Sequence, residues 1–181
     1  KDDSNNGYLN LKSVDMPVKQ LMEKMKSVLE PLAIHEYGKN RQLKEINVIK
    51  EKLDVGHVVI QEDFSENYVC KQAVEISSAY YNNICVTVFT AVVWFKSGDE
   101  VQHRSYVIAS DELTHDNTAV YAFNKALIED LRSKGVLVNH IHFFIDGAAS
   151  LFENKFTAQN LVHHQDEFGC SAGWWYFETG H

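Results

Sequence analysis

Val58-Val59-Ile60-Gln61-Glu62-Asp63-Phe64-Ser65-Glu66-Asn67-Tyr68 is the stretch that decides the fold. Four residues of strand character run into a carboxylate pair and then into a polar turn, so an apolar strand delivers Asp63 to the rim of a sheet. The pattern returns at His142-Phe143-Phe144-Ile145-Asp146-Gly147-Ala148-Ala149-Ser150, again a short apolar run that ends in Asp before small residues. Side chains alternate across a strand, so Glu62 points to the face opposite Asp63 and is given no role. Glu66 and Asn67 are expected to satisfy the turn that follows.

The elements on either side can be read outward from these two strands. Residues 1–12 are polar and Asn-rich, an irregular lead-in. From Asp15 the pattern is helical: Asp15 can cap, Pro17 suits a first turn, and Val18, Leu21, Met22, Met25, Val28, Leu29 and Leu32 recur at three- and four-residue spacing, with Pro31 near the end. A second helix is expected after Gly38, with Leu43, Ile46, Ile49 and Leu53 on one face. Its other face carries Lys39, Arg41, Lys44, Lys50 and Lys52, and Glu45, Glu51 and Asp54 balance these as on an ordinary solvated face. Beyond the first strand, residues 72–78 are expected as a short strand or bend and Tyr80-Tyr81-Asn82-Asn83 as a turn. Ile84 to Phe95 and Val101 to Ala109 read as adjacent antiparallel strands around Lys96-Ser97-Gly98-Asp99-Glu100. Asp116 or Asn117 caps a helix from Thr118 to Lys134 that Gly135 ends. Then follow a strand from Val138 to Ile145, a helix from Phe156 to His164 and a strand from Ala172 to Phe177. The expected division is a helical extension over residues 1–54 and an α/β core over residues 55–181, with a meander followed by helical crossovers.

Composition narrows the function classes. The chain has 181 residues, enough for one buried core, and its 45% apolar and 12% aromatic content argues against disorder. The longest apolar run, Ile84 to Phe95, is too short to span a bilayer, so no membrane partner is expected. Three cysteines, Cys70, Cys85 and Cys170, form an odd set without framework spacing and point to a reducing, intracellular setting. The net charge of −8 runs against the Lys and Arg excess usual in nucleic-acid-binding domains. Carboxylates gathered around a metal, or basic parts outside these residues, would reconcile the charge with such binding.

The chemistry-bearing candidates are few. Asp63 and Asp146, each at the end of an apolar strand, supply the hard oxygen ligands that magnesium prefers, and paired carboxylates can hold two cations about 3.5–4 Å apart. Taken singly, each is an ordinary capping or solvated acid. Asp111, His115 and Asp116 precede the long helix and are read as capping groups. Zinc enters through His140, His142, His163, His164, Cys170 and His181. His140 and His142 share a strand face and His163-His164 begin a loop, but no Cys-x-x-Cys or His-x-x-x-His spacing completes a tetrahedral set. Trp174-Trp175-Tyr176 can stack bases, although core packing explains them more simply.

The element order, with Asp closing the first strand and Asp-Gly-Ala closing the fourth, resembles the ribonuclease H-like catalytic core of D-D-E/D transposases and integrases. Gln61-Glu62-Asp63-Phe64-Ser65-Glu66-Asn67-Tyr68, Phe144-Ile145-Asp146-Gly147-Ala148-Ala149-Ser150 and Phe177-Glu178-Thr179-Gly180-His181 are similar to a group of transposon-derived proteins, over about residues 35–181. The resemblance implies a mixed five-stranded sheet flanked by helices, DNA as partner, a nuclear setting and homo-oligomers. It implies Mg2+ or Mn2+ held by Asp63 and Asp146 as catalytic ligands, with no small-molecule cofactor. In such cores a third acid follows the last strand on a helix. The sequence stops at His181, so the expectation is an unfinished site, with Glu178 read as a solvated strand-end residue rather than its substitute. The alternatives are a domesticated, catalytically incomplete domain that binds nucleic acid or protein, and a ribonuclease or exonuclease on the same fold.

Overall fold

The structure, a computed structural model, describes residues 14–65, 67–70, 84–146 and 155–177. Among them are strands β1 (His57–Phe64), β2 (Tyr68–Cys70), β3 (Ile84–Ser97), β4 (Glu100–Ser110), β5 (His140–Asp146) and β6 (Ser171–Phe177), and helices α1 (Val18–Glu51), α2 (Asn117–Ser133) and α3 (Lys155–Phe168). The chain divides into two compact units, Lys1–Gly38 and Lys39–His181.

The second unit is built on one mixed, open sheet. β1 lies between β3, to which it is antiparallel, and β5, to which it is parallel. β6 continues the sheet parallel to β5, and β4 pairs antiparallel with β3 on the other side. β2 also pairs with β3, through Tyr68↔Val86 to Cys70↔Ile84. The sheet is therefore six-stranded where five strands were expected. The added strand is only three residues long, and no alternation can announce it. The expected strand or bend at residues 72–78 and the turn at residues 80–83 lie outside the described residues.

Each face of the sheet has its own helical cover. Val58, Ile60, Phe89, Val93, Ile141 and Phe143 face α2 and α3 and form one core with Phe123, Leu127, Ile128 and Leu131. On the opposite face Val59 and Phe144 pack with Ile46 and Leu53, and with Ile49, Trp94 and Phe177 at the edge. β3 shows why the layers separate cleanly: Thr87, Phe89, Ala91, Val93 and Phe95 are buried, while the residues between them are only partly so.

Local chemistry sets the element ends. The side chain of Asp116 accepts a hydrogen bond from Ala119 N at 2.9 Å and caps α2. Gly135, at φ 78°, ends that helix, and Gly169, at φ 64°, ends α3. α3 therefore runs four residues past His164, and His163 and His164 sit inside a helix rather than at the start of a loop. α1 also differs from expectation. It is a single helix of 34 residues with Pro31 inside, where a break at Gly38 was expected. Leu21 N bonds to Pro17 O, so Pro17 takes the capping position rather than the first turn. Within the first unit the apolar stripe of Leu21, Met22, Met25, Val28 and Leu29 is exposed.

Candidate functional site

β1 and β5 bring the two aspartates together at backbone level. Their parallel register runs from His57↔His140 to Glu62↔Ile145. Carried one residue further at the same offset, it sets Asp63 beside Asp146, the last residue of β5. Both positions belong to the face that carries Val59 and Phe144. Asp63 is exposed, and its carbonyl oxygen accepts from Thr90 Oγ1 at 3.2 Å across the β1–β3 pair. The side chain of Asp146, together with Gly147 to Ser150, Glu66, Glu178 and His181, lies outside the described residues.

Asp63 lines a cleft of about 750 Å³ whose floor is the sheet. Gln61, Thr90, Val92 and Trp94 line it from β1 and β3, Phe144 and Phe177 from β5 and β6, and Lys39 and Leu43 from α1. The cleft is thus mainly apolar, with a carboxylate at the rim and a lysine in the wall. The basic face of this part of α1 divides by contact. Arg41 pairs with Glu45 at 3.1 Å, as an ordinary surface pair, whereas Lys50 lies 3.3 Å from the centre of the Trp94 ring. Partial burial there holds the Lys50 ammonium below its usual pKa.

Glu62, given no role from the sequence, is the most perturbed acid in the described chain. It does point away from Asp63, and that direction is the buried one: the residue is 2% exposed. Asn124 Nδ2 of α2 donates to its Oε1 at 3.1 Å, while Glu62 Oε2 and Asn124 Oδ1 have no partner. Desolvation pushes the carboxyl up to about 8, only partly opposed by the Asn124 hydrogen bond. Glu62 is therefore a neutral carboxylic acid at pH 7. Strand alternation foretold its direction, but the covering of that face by α2 is a tertiary fact.

Asn67 and His115 do more than finish turns. Asn67 Oδ1 accepts from the buried Thr87 hydroxyl at 3.1 Å and lies 2.9 Å from His115 Nε2. The His115 ring stacks on Phe64, with centroids 4.4 Å apart. The loop before α2 is thereby fastened to the strand end that carries Asp63, while Asp116 caps as expected.

Four of the nine histidines lie at two further places. His164 is buried beside Cys170, its Nδ1 2.7 Å from Cys170 O, and burial lowers its pKa. Burial likewise pushes the Cys170 thiol up, so it is a packed, unreactive thiol rather than a nucleophile. His57, His140 and His142 gather at the opposite ends of β1 and β5 from the aspartates. Burial, reinforced by mutual repulsion, lowers the pKa of His140 and takes that of His142 down to about 4. Among the described residues no group of three His, Cys, Asp or Glu side chains is set, as it stands, to hold a metal ion. No helix among them is long and apolar enough to cross a membrane.

The family described as "Domain of unknown function (DUF8701)" matches residues 42–181, more than three quarters of the chain. The chain belongs to this family. The DUF8701 match begins within α1 and takes in all six strands, so the cleft and the Asp63 rim lie almost wholly inside it. No curated protein and no solved structure matches the chain.

Proposed function

We propose that the DUF8701 unit is a ribonuclease H-like core of the transposase or integrase type, processing phosphodiester bonds in DNA at the Asp63–Asp146 rim. The observation that carries this reading is the register of β1 and β5, which sets the two aspartates side by side on neighbouring central strands. The sheet supports it further: an antiparallel run through β1, β3 and β4 is followed by β5 and β6, each entering by a helix and running parallel.

The donor set fits a hard divalent cation. Asp63 is exposed at the mouth of a cleft, and carboxylate oxygens are what Mg2+ and Mn2+ select. Asp63 and Asp146 would hold the metal, which when bound activates a water or 3′-hydroxyl and stabilises the leaving oxygen. The rest falls to the chain: Thr90 fastens the strand end at the Asp63 carbonyl, and Lys39 supplies positive charge in the cleft wall.

The net charge of −8 favours a second reading, a domain of the same fold without chemistry that binds protein before nucleic acid. Metal titration separates the two. For the catalytic reading, Mn2+ binding by calorimetry should weaken at least about tenfold in Asp63→Asn and in Asp146→Asn, because a hard cation loses an anionic ligand while the fold persists. Mn2+ affinity unchanged in both variants would remove the site. Binding that depends on both aspartates, without cleavage or joining of a precut DNA end, would favour the second reading.

A further inference from the structure

We propose that His57, His140 and His142 form a site for a zinc-class divalent cation, which ties the starts of β1 and β5 together far from the aspartate rim. Two strands put the three rings on one face: His57 and His140 are register partners, and His142 lies two residues along β5 from His140. The face is the one that carries Asp63, but Asp63 lies six positions along β1 from His57, about 20 Å at strand rise. The two places are therefore independent.

The spacing of the rings is that of a tetrahedral site. Zinc binds imidazole nitrogen at about 2.0–2.1 Å, so two ligand nitrogens on one ion stand about 3.3 Å apart and their ring centres about 5 Å apart. His57 Nδ1 and His142 Nε2 are 3.4 Å apart. The centroid separations are 5.1 Å for His57–His140, 5.6 Å for His57–His142 and 4.4 Å for His140–His142. Pairing of His57 with His140 and the same-face spacing of His140 and His142 bring the rings to these separations, and their mean is what one ion requires.

The surroundings prepare His140 as a ligand. Its Nδ1 lies 2.7 Å from Ser171 Oγ, and that hydroxyl donates to Asn139 O at 3.4 Å. A hydroxyl whose proton is spent on a carbonyl accepts from its other neighbour. In that arrangement His140 carries its proton on Nδ1 and offers Nε2, as when a second layer of hydrogen bonds fixes a ligating histidine. Because the trio does not hold a metal as it stands, closing the site requires rotation of the rings. The backbone beneath them is fixed, since Asn139 N and His140 N both donate to Gly56 O, at 2.8 Å and 3.1 Å. Three imidazoles without a carboxylate select Zn2+, Co2+ or Ni2+ over Mg2+, and the fourth position is left to water.

The test is titration of the full chain with Co2+ and Zn2+, using Co2+ visible absorption and the imidazole NMR signals. One equivalent should give the intense absorption of a four-coordinate cobalt site, and Zn2+ should shift the signals of three of the nine histidines and raise the melting temperature. Affinity should fall about a hundredfold in His142→Gln and in His57→Gln, and stay unchanged in His103→Gln, an exposed β4 histidine. Weak, six-coordinate-type absorption in the wild type would overturn the proposal, as would zinc shifts on other histidines. The wild-type readouts do not depend on any variant folding. Loss of the Asp63 and Asp146 reading would leave these outcomes untouched.

Discussion

Replacing Glu62 by Gln should stabilise the protein at neutral pH and flatten the pH dependence of its stability. Burial lifts the Glu62 carboxyl from its ordinary value of 4.5 to about 8. Between those values the folded chain keeps a proton that the unfolded chain has released, so stability falls as pH rises through the window. At about 1.36 kcal/mol per tenfold change in proton affinity, the full span is worth roughly 5 kcal/mol, of which roughly 3 kcal/mol is already lost at about pH 7. Like the protonated carboxyl, the amide offers an acceptor to Asn124 Nδ2 and a donor to the unpartnered Asn124 Oδ1, but it does not ionise. His142 acts with the opposite sign. Its pKa is lowered from 6.5 to about 4, so its contribution to stability grows as pH rises between those values. The difference between wild type and Glu62→Gln cancels that effect. Urea denaturation of both proteins should show their stabilities diverging by roughly 4 kcal/mol between about pH 5 and about pH 8.5, with the variant ahead at the higher pH. Parallel profiles over that range would refute the picture of a neutral carboxyl sealed under α2.

Two further substitutions test how the strands and helices are anchored. Gly56→Ala should cost roughly 2–3 kcal/mol by denaturant titration, because Gly56 holds φ 88° and a Cβ there would meet Asn139 Nδ2 at 2.6 Å; a cost below about 0.5 kcal/mol would show that the β1–β5 entrance yields easily. Asp116→Ala should cost about 1 kcal/mol through the lost cap on Ala119 N, and restoration by Asn or Ser at the same position would identify capping as the cause.

Much of the sheet could be read directly because its signals are local. Apolar runs ending in Asp marked β1 and β5, the turn at Lys96 to Glu100 marked the β3–β4 hairpin, and Asp116 with Gly135 bracketed α2. One error concerns helix breakers. Pro31 and Gly38 are helix breakers by composition, yet α1 runs through both. Glu62 and the three histidines show a second kind of miss. Their directions follow from alternation, but their meaning depends on which helix covers a face and which strand lies alongside. The repeated pattern of an apolar run ending in Asp made β1 and β5 expected neighbours, and the register of β1 on β5 pairs them with Asp63 beside Asp146 at backbone level.

That register also governs how the protein can come to be folded. β3 and β4 close on each other across two residues, with Gly98 at φ 62° making the turn. β1 and β5 close across 83 residues, at an entropic cost roughly 3 kcal/mol greater. Pairings of that span slow a folding reaction, since the chain must give up its freedom before the contacts repay it. The hairpin needs only a short closure, but the aspartate pair and the histidine trio each straddle the long one. Any opening that parts β1 from β5 therefore takes both apart together with the core that joins these strands.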